Sequence, residues 1–430
     1  MNPATSFLNK RVVPVLTALS ENIYLSAIRA GMVSVVPLTI IGGLFIILSF
    51  LPISGWDKIV APYLNLLQVP VTATFGLLSV FVCFAIGYDL GKQFKQEAIV
   101  SASMATVIFL MIQLKLGAKP EDITFSMDNL GSKGLFTAIL VALVAVRVQK
   151  FFTDKNVVIK LPANVPPVVY ESFLSLIPLF FLVVVFWLIR FVLGVDIDHL
   201  VQTALQPLVF ALNTLPGILV YAFLVTLLWS VGINGDNAMD AIVAPIFLQY
   251  LTANVEAMTT GHPLPYITAY GFFTTFVNVG GTGATIALAL ILWNSKEPSL
   301  RKVSRISLPT QIFQINEPII FGLPIVLNPI FMVPYILNAL ILTAGSYLLM
   351  HWHLINKPFV NVPWTTPPII GHYLVTGGDW RAAVWGVVSI GIAIFVYYPF
   401  AKAAERQRLQ AEAAKIIHEK DASYRSDNRP

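Results

Sequence analysis

The sequence predicts an all-α polytopic membrane protein with about ten transmembrane helices, re-entrant hairpins and an interfacial amphipathic helix. Hydrophobic residues make up 57% of the 430 residues, charged residues only 11%, and the mean hydropathy is +0.77. An average soluble domain carries about 25% charged residues, so this chain has too few charged groups to cover a water-exposed surface. Its composition excludes an ordinary soluble enzyme, a nucleic-acid-binding domain and a disordered chain.

Ten apolar runs are candidates for membrane spans, each of which needs about 20 mainly apolar residues. The weakest is the run at 238–253. No cleavable signal peptide is expected, because Leu51, Pro52 and Ile53 follow the first run in place of a small-residue cleavage site. The ten runs lie at about 29–51, 72–88, 98–116, 134–149, 172–193, 217–231, 238–253, 269–293, 325–350 and 381–399.

The distribution of Lys and Arg predicts the orientation. An even number of spans places both termini on one side of the membrane. If that side is cytoplasmic, 20 Lys and Arg residues lie on the cytoplasmic side and 7 on the other. Cytoplasmic loops carry an excess of positive residues, so both termini are expected to be cytoplasmic.

Four segments are expected along the chain. Residues 196–214 alternate polar and apolar residues at roughly helical spacing, which is typical of a helix lying in the membrane interface. Residues 151–171 are polar, basic and rich in proline, as expected of a cytoplasmic connector. The segments are an N-terminal transmembrane scaffold half (1–195), the interfacial helix (196–216), a C-terminal half that carries the site (217–400) and a cytoplasmic tail (401–430).

Helix-breaking and polar residues interrupt the apolar sequence mainly after residue 229. The stretch 309–334 contains five prolines together with Asn316 and Glu317. Irregular backbone at membrane depth must be buried in protein or line a wet cavity, and discontinuous helices form binding sites in transporters. We therefore expect this stretch to fold back into the interior, with Glu317 facing a water-filled chamber. Three further regions of this kind lie at 229–266, 280–283 and 361–368.

Glu317 is the strongest single candidate for a functional group. An ionisable side chain in an apolar region is costly and is functional by default; it could accept a hydrogen bond from a sugar hydroxyl or take its proton. A structural ion pair with Arg301 or Arg305 is the alternative. Trp364 could stack on the apolar face of a pyranose ring or belong to an interfacial tryptophan belt.

The remaining candidates are small or polar residues of the same regions. Asp236 could bind sugar or cap the following helix, and Thr282 with its neighbouring glycines could bind sugar or pack helices together. The histidines and the single cysteine, Cys83, show no metal-ligand spacing, and no Walker-type loop is present; no metal or cofactor is expected. The predicted substrate-binding set is Asn234, Gly235, Asp236, Gly281, Thr282, Gly283, Asn316, Glu317, Trp364 and Thr365, with Glu317 as the catalytic residue.

Several sequence motifs of the chain resemble those of a known family. The most specific is Phe313-Gln314-Ile315-Asn316-Glu317-Pro318. Together with the other motifs, this motif makes the chain similar to enzyme IIC (EIIC). EIIC is the membrane permease of the bacterial phosphoenolpyruvate-dependent sugar phosphotransferase system, and the lactose/cellobiose/diacetylchitobiose group fits best. The other motifs are Val36–Thr39 with Gly42-Gly43, Ile159–Pro162 with Val165-Pro166 and Ser172-Phe173, Gly232–Gly235, Gly280–Thr285 and Pro363–Thr365.

The resemblance implies a homodimer of ten-helix protomers in the bacterial cell membrane. The N-terminal half would form much of the dimer contact, and the C-terminal half would bind a disaccharide and carry it inward. Transport is this subunit's own activity; a phosphocysteine on enzyme IIB (EIIB), supplied by enzyme IIA (EIIA), would phosphorylate the 6-hydroxyl of the sugar. Glu317 corresponds to the glutamate near that hydroxyl, and Trp364 to an aromatic residue of the pocket.

One position departs from the family pattern. Asn234 stands where many relatives have histidine, and an amide can hydrogen-bond a hydroxyl but cannot take its proton. Either Glu317 is then the only base, or the phosphocysteine needs less assistance.

The phosphocysteine is expected on a separate EIIB chain. Cys83 lies inside a predicted span, where it is expected to be a small, buried hydrophobic residue. No soluble domain is expected after residue 401. Basic loops at 147–160 and 296–305 could receive the partner. Two alternatives remain open: an ion-coupled secondary sugar transporter using Glu317 or Asp236, and a receptor-like homologue that binds sugar without transport. The sequence leaves the identity of the sugar open.

Overall fold

A computed structural model of the chain describes residues 22–50, 55–117, 119, 122–159, 173–323, 325–326 and 328–427. Most of these residues are helical. The α-helices are α1 Ile23–Ser34, α2 Val36–Ser49, α3 Trp56–Val60, α4 Leu64–Thr74, α5 Leu78–Gln93, α6 Ala98–Ile112, α7 Met127–Leu130, α8 Leu135–Asp154, α9 Leu176–Trp187, α10 Ile197–Leu212, α11 Leu215–Ser230, α12 Gly235–Thr259, α13 Ile286–Leu292, α14 Pro298–Gln311, α15 Glu317–Gly322, α16 Pro329–His351, α17 Pro368–Val375 and α18 Trp380–Asp427.

Apolar helices long enough to cross a membrane recur along the described chain. Six helical stretches qualify singly, two pairs of helices qualify if each bent pair is one span, and α6 and α11 are shorter apolar helices. The predicted apolar runs fall on these stretches, which confirms a mostly helical, multi-pass membrane protein. The number of ten crossings and the cytoplasmic termini remain predictions. The six single stretches are Ile23–Ser49, Lys58–Gln93, Ser132–Asp154, Gly235–Thr259, Pro329–His351 and Trp380–Glu412.

Close helix packing organises the N-terminal part of the chain around α5. This helix contacts α1, α6 and α8, and Cys83 on it is fully buried, as predicted. A Cβ atom added at Gly87 of α5 would lie 3.0 Å from the Cα of Ala102 on α6. Small residues let helix backbones approach closely where lipid provides no hydrophobic driving force between helices. Ser101 on α6 then donates a hydrogen bond of 2.7 Å to Gln149 on α8.

The predicted amphipathic helix is present as α10. The helices Leu176–Val192 and Ile197–Leu212 meet at a bend of 85°, as expected if α10 runs in a different direction from the preceding span. Asp198 of α10 accepts hydrogen bonds from Gln113 and Asn129, both at 3.2 Å. Between these two residues the chain forms a two-residue antiparallel strand pair, Leu114–Lys115 with Thr124–Phe125, which the all-helical prediction did not include.

The later part of the chain is built on α16 and α18. These helices pack on each other, α16 also packs on α11, and α18 packs on α13 and α17. Helix α18 continues without a break from the last span into the predicted tail. The carboxylate of Glu405 accepts hydrogen bonds from the Ser295 hydroxyl at 2.5 Å and the Lys296 amide at 2.6 Å. The start of the predicted tail is therefore tied to the loop before α14. Residues 160–172, which include most of the predicted connector, lie outside the described residues.

Replacing Gly87 by leucine is expected to destabilise the folded protein. A leucine side chain has no space between α5 and α6, and overpacking a closely packed site costs about 1–3 kcal/mol. The measurement is the midpoint of thermal unfolding of the detergent-solubilised protein. Gly391→Leu is the matched control, because this α18 glycine has no atom within 4 Å of an added Cβ. Equal midpoints for the two variants would contradict the packing argument.

Candidate functional site

A glycine-rich turn at 280–285 lies at the centre of the candidate site. It falls at a 44° bend between Phe272–Ala284 and α13. Gly280, Gly281 and Gly283 have φ of +74°, +101° and +75°, a region that only glycine adopts readily. Space is also lacking for side chains: a Cβ at Gly281 would lie 2.3 Å from the Cγ of Asn316, and one at Gly283 would lie 2.3 Å from the ring of Tyr335.

Two amide side chains from the break before α15 hold this turn. The Gln314 oxygen Oε1 accepts hydrogen bonds from the backbone amides of Gly280 at 2.7 Å and Gly281 at 3.1 Å. The Asn316 amide donates to the Thr282 carbonyl at 2.8 Å and to the Thr285 hydroxyl at 2.9 Å. Both amide side chains are buried. The structure thus brings together the predicted residues Gly281, Thr282 and Asn316, with Asn316 stabilising the turn.

A third contact to the turn comes from Asp236 in the first turn of α12. Its carboxylate accepts hydrogen bonds from Thr282 Oγ1 at 2.6 Å, Trp229 Nε1 at 2.8 Å and Asn278 Nδ2 at 3.1 Å. Both carboxylate oxygens are therefore engaged, and Asp236 connects α11, α12 and the 278–282 segment. We call Asp236, Gln314, Asn316 and the 280–285 turn the glycine-turn clamp.

Asn234, not Asp236, caps α12. The Asn234 oxygen Oδ1 accepts a 2.9 Å hydrogen bond from the Asn237 amide, so the alternative interpretation of Asp236 as a helix cap is wrong. The Nδ2 group of this partly exposed side chain forms no hydrogen bond within the described residues and is available to a ligand. Gly235 is buried, and a Cβ there would lie 2.0 Å from the Val225 carbonyl oxygen. Its position requires glycine for packing against α11.

Glu317 begins the six-residue helix α15, directly after the buried Asn316. Its side chain is exposed, and its expected position facing a water-filled chamber stays a prediction. The alternative ion pair is absent from the described residues: Arg305 instead donates to the Trp293 carbonyl at 3.3 Å and lies 5.5 Å from the Trp293 ring, and Arg301 forms no ion pair there. The structure therefore places a solvent-accessible carboxylate next to the glycine-turn clamp.

Trp364 and Thr365 lie on the loop between α16 and α17. Trp364 is 54% exposed, and in the described parts of the chain neither side chain hydrogen-bonds to the clamp. The loop and the helix α17 that follows it each contact another part of the fold. Asn361 donates a 2.6 Å hydrogen bond to Thr39 on α2, and the His372 ring lies 4.6 Å from the Phe276 ring, centroid to centroid.

Several residues of the site were missed by the sequence analysis. Trp229 and Asn278 bind Asp236, and Gln314 binds the turn. All three belong to, or immediately precede, the irregular regions that composition identified. Their partners lie up to 42 positions away in the chain, so their roles depend on tertiary contacts. Gln314 lies in the most specific motif, and that position alone would have justified adding it to the predicted site residues.

Comparison with known proteins supports a relationship over almost the whole chain. The family model described as "Phosphotransferase system, EIIC" matches residues 29–339. The cellobiose-specific EIIC component of Geobacillus stearothermophilus is 35% identical, covering 95% of each chain. The lactose-specific EIICB component of Streptococcus mutans is 30% identical over 93% of this chain and 72% of its own length.

A solved structure is similar in fold as well as in sequence. The crystal structure of ChbC, the IIC component of an N,N'-diacetylchitobiose-specific phosphotransferase system, matches with a TM-score of 0.88. It is 33% identical and covers 95% of this chain and 99% of the ChbC chain. The bent helices and the irregular segments therefore belong to a fold that occurs in a solved transporter.

Replacing Asp236 by asparagine is expected to destabilise the clamp. An amide cannot accept hydrogen bonds from all three donors, and a buried donor left without a partner costs about 1–3 kcal/mol. We expect a lower midpoint of thermal unfolding in detergent. Asp128→Asn is the control, because the Asp128–Lys133 ion pair is exposed and such pairs contribute little. A midpoint for Asp236→Asn no lower than that of the control would show that the three bonds do not support the fold.

Proposed function

Because the chain belongs to the phosphotransferase system EIIC family, we propose that it carries a β-linked disaccharide of the cellobiose or diacetylchitobiose type. Family membership makes the chain a sugar permease of the phosphotransferase system and a multi-pass protein of a bacterial plasma membrane. It favours group translocation over the ion-coupled alternative. The substrate class follows the relatives, which include cellobiose-, lactose- and diacetylchitobiose-specific components.

The observation that carries the proposal is the exposed Glu317 carboxylate beside the glycine-turn clamp. The clamp fixes the turn through buried amides and a carboxylate, while Glu317 has no ion pair or hydrogen bond in the described residues. A neutral sugar offers many hydroxyl groups and an apolar ring face. Glu317 supplies an acceptor, Asn234 supplies amide donors, and Trp364 supplies an aromatic surface for stacking.

In the proposed reaction the sugar 6-hydroxyl is the nucleophile. The hydroxyl oxygen forms a bond to phosphorus as the phosphorus–sulfur bond of the EIIB phosphocysteine breaks, and the hydroxyl proton passes to the Glu317 carboxylate. Asn234 can orient the sugar through its Nδ2 group but cannot accept a proton. Glu317 is therefore the base supplied by this chain.

The proposed partner is a separate EIIB chain that docks on a basic surface. Exposed Lys302 and Arg305 lie on α14, and Arg408 of α18 hydrogen-bonds Ser299 at the start of α14 at 3.2 Å. An acidic or phosphorylated partner is attracted by such a surface. The fused EIICB architecture of the lactose-specific relative supports the pairing of the two functions.

The proposed architecture follows the four segments expected from sequence. The chain would have ten membrane spans and cytoplasmic termini. Residues 1–195 would form the scaffold and dimer contact of a homodimer, 196–216 an interfacial helix, 217–400 the transport half and 401–430 the tail. The 85° bend before α10 and the position of the clamp after residue 229 support this division.

Reconstitution tests the function and the role of Glu317 together. Proteoliposomes are supplied with cellobiose outside, and with phosphoenolpyruvate, EIIB, EIIA and the general phosphotransferases inside. We expect cellobiose phosphate to accumulate only when EIIB is present. Glu317→Gln should lower product formation at least tenfold, since a lost proton acceptor removes about 10²–10⁴-fold in general-base catalysis.

The matched control for Glu317→Gln is Glu256→Gln, at an exposed position near the end of α12. It should transport like the wild type. Uptake of unmodified sugar that collapses with an ion gradient would contradict group translocation. Wild-type product formation by Glu317→Gln would remove its role as base while leaving the transport function intact.

Trp364→Ala is expected to weaken cellobiose binding by about 1–2 kcal/mol, the scale of a lost aromatic contact. Isothermal titration of the purified protein measures the affinity. Trp352→Ala is the control, because Trp352 is similarly exposed, at 60%, but lies at the end of α16. Equal affinities for the two variants would assign Trp364 to the membrane interface instead of the sugar pocket.

A further inference from the structure

The interfacial helix α10 forms one wall of a cleft that is separate from the glycine-turn clamp. The cleft has a volume of about 270 Å³ and lies between α8, α10 and α12. Two hydrogen bonds join its walls. Gln202 Nε2 of α10 donates to the Lys133 carbonyl before α8 at 3.0 Å, and the Tyr250 hydroxyl of α12 donates to the Val209 carbonyl of α10. The lining residues are Phe136, His199, Gln202, Thr203, Leu205, Gln206, Val209 and Gln249.

The polar face of α10 is uncharged, which is unusual for an interfacial helix. His199, Gln202, Thr203 and Gln206 are three, four and seven residues apart, so they share one face of the helix. Interfacial helices are typically rich in Lys and Arg on their polar face, which bind anionic lipids. The sequence from 199 to 212 contains no Lys, Arg, Asp or Glu. Electrostatic attraction to lipid headgroups therefore does not account for this face.

The lining of the cleft has the chemistry that a neutral sugar requires. Amide and hydroxyl side chains both donate and accept hydrogen bonds with sugar hydroxyls. Within the described residues, the side chains of Thr203 and Gln206 and the Oε1 atom of Gln249 form no hydrogen bond. The Phe136 ring and two aliphatic side chains supply an apolar surface for the C–H face of a sugar ring. Among the described residues that line the cleft, none is Lys, Arg, Asp or Glu, so a charged ligand gains no ion pair with them.

Helix α12 connects the cleft with the proposed sugar site. Asn234 caps the beginning of this helix, and Gln249 lies about four turns later, which is about 22 Å along the axis at 1.5 Å per residue. Five predicted spans precede α10, so the proposed cytoplasmic N-terminus places the cleft on the outer face of the membrane. A sugar arriving from outside reaches that face first.

We propose that this cleft is a second, outer binding site for a neutral sugar, which holds one ring of the disaccharide before it reaches the clamp. The assignment rests on the proposed disaccharide function and adds a site outside the predicted substrate-binding set. Gln206 and Gln249 bind the sugar hydroxyls from α10 and α12, and Phe136 contacts the ring. The volume of the cleft is near the lower end of the roughly 300–1,000 Å³ range of small-molecule sites, which suits part of a disaccharide.

Protection of an introduced thiol tests the site in the full-length protein, in right-side-out membrane vesicles. Thr203→Cys places a thiol in the cleft, and Cys83 is buried. We expect a membrane-impermeant maleimide to label Thr203→Cys from outside, and saturating cellobiose to slow this labelling at least threefold. His262→Cys is the control, because His262 is exposed in the loop after α12 and does not line the cleft; cellobiose should leave its labelling unchanged. Labelling of Thr203→Cys that cellobiose does not slow, or that fails from the outer side, would overturn the proposal.

The same measurement with Trp364→Ala separates the cleft from the site beside the clamp. If the cleft binds sugar by itself, the cellobiose concentration that gives half of the protection is the same with and without Trp364→Ala. A three- to thirtyfold increase in that concentration, the shift expected for a weakened site at Trp364, would show that the protection comes from the other site and would overturn the proposal.

Transport kinetics test whether the cleft contributes to uptake. Gln206→Ala should raise the KM for cellobiose phosphate formation in proteoliposomes about three- to tenfold, the effect of one lost hydrogen bond, with an unchanged maximal rate. Gln410→Ala, at an exposed position of α18, should keep the wild-type KM. A wild-type KM in Gln206→Ala would overturn the role of the cleft in uptake while transport itself persists. If the wild type phosphorylates none of cellobiose, lactose or diacetylchitobiose, the proposed function is wrong, which is a distinct result.

Discussion

Backbone groups at membrane depth must find partners inside the protein, and the 280–285 turn depends on that constraint. Three glycines with positive φ interrupt helical hydrogen bonding. The amides of Gly280 and Gly281 bind Gln314, the Thr282 carbonyl binds Asn316, and the Gly283 carbonyl binds Tyr397. Because these partners come from the break before α15 and from α18, the turn reaches its final form only when the later helices have packed.

Two carboxylates near the turn have opposite surroundings. Asp236 accepts three hydrogen bonds from Trp229, Asn278 and Thr282, which engage both of its carboxylate oxygens. Glu317 is exposed and has no such partners in the described residues. A carboxylate committed to three donors holds structure, whereas a carboxylate without partners can bind a hydroxyl and accept its proton. The same chemical group thus serves the fold at one position and the proposed chemistry at the other.

The sequence was sufficient to predict those features that a local pattern of residues determines. Apolar runs predicted the multi-pass helical fold, and the prolines and polar residues of 309–334 predicted a broken segment, found between α14, α15 and α16. It was insufficient where a role depends on a distant partner. Asn234 is a helix cap because α12 begins directly after it. Asp236 stabilises the turn because it accepts a hydrogen bond from Thr282, 46 residues away. The exposure of Glu317 is likewise a tertiary property, because it depends on which elements cover α15.

The residues whose polar atoms hold the turn differ from those whose polar atoms are available to the proposed sugar. Gln314, Asn316 and Asp236 have their main polar atoms committed to the turn, so they fix its geometry. In the proposed function, substrate choice then falls to Glu317, to the Asn234 amide group and to the loop that carries Trp364. That loop is joined to α2 through the Asn361–Thr39 hydrogen bond of 2.6 Å. If Trp364 contacts the sugar as proposed, α2 would contribute through this bond to where the loop lies, and so to the length of sugar that fits.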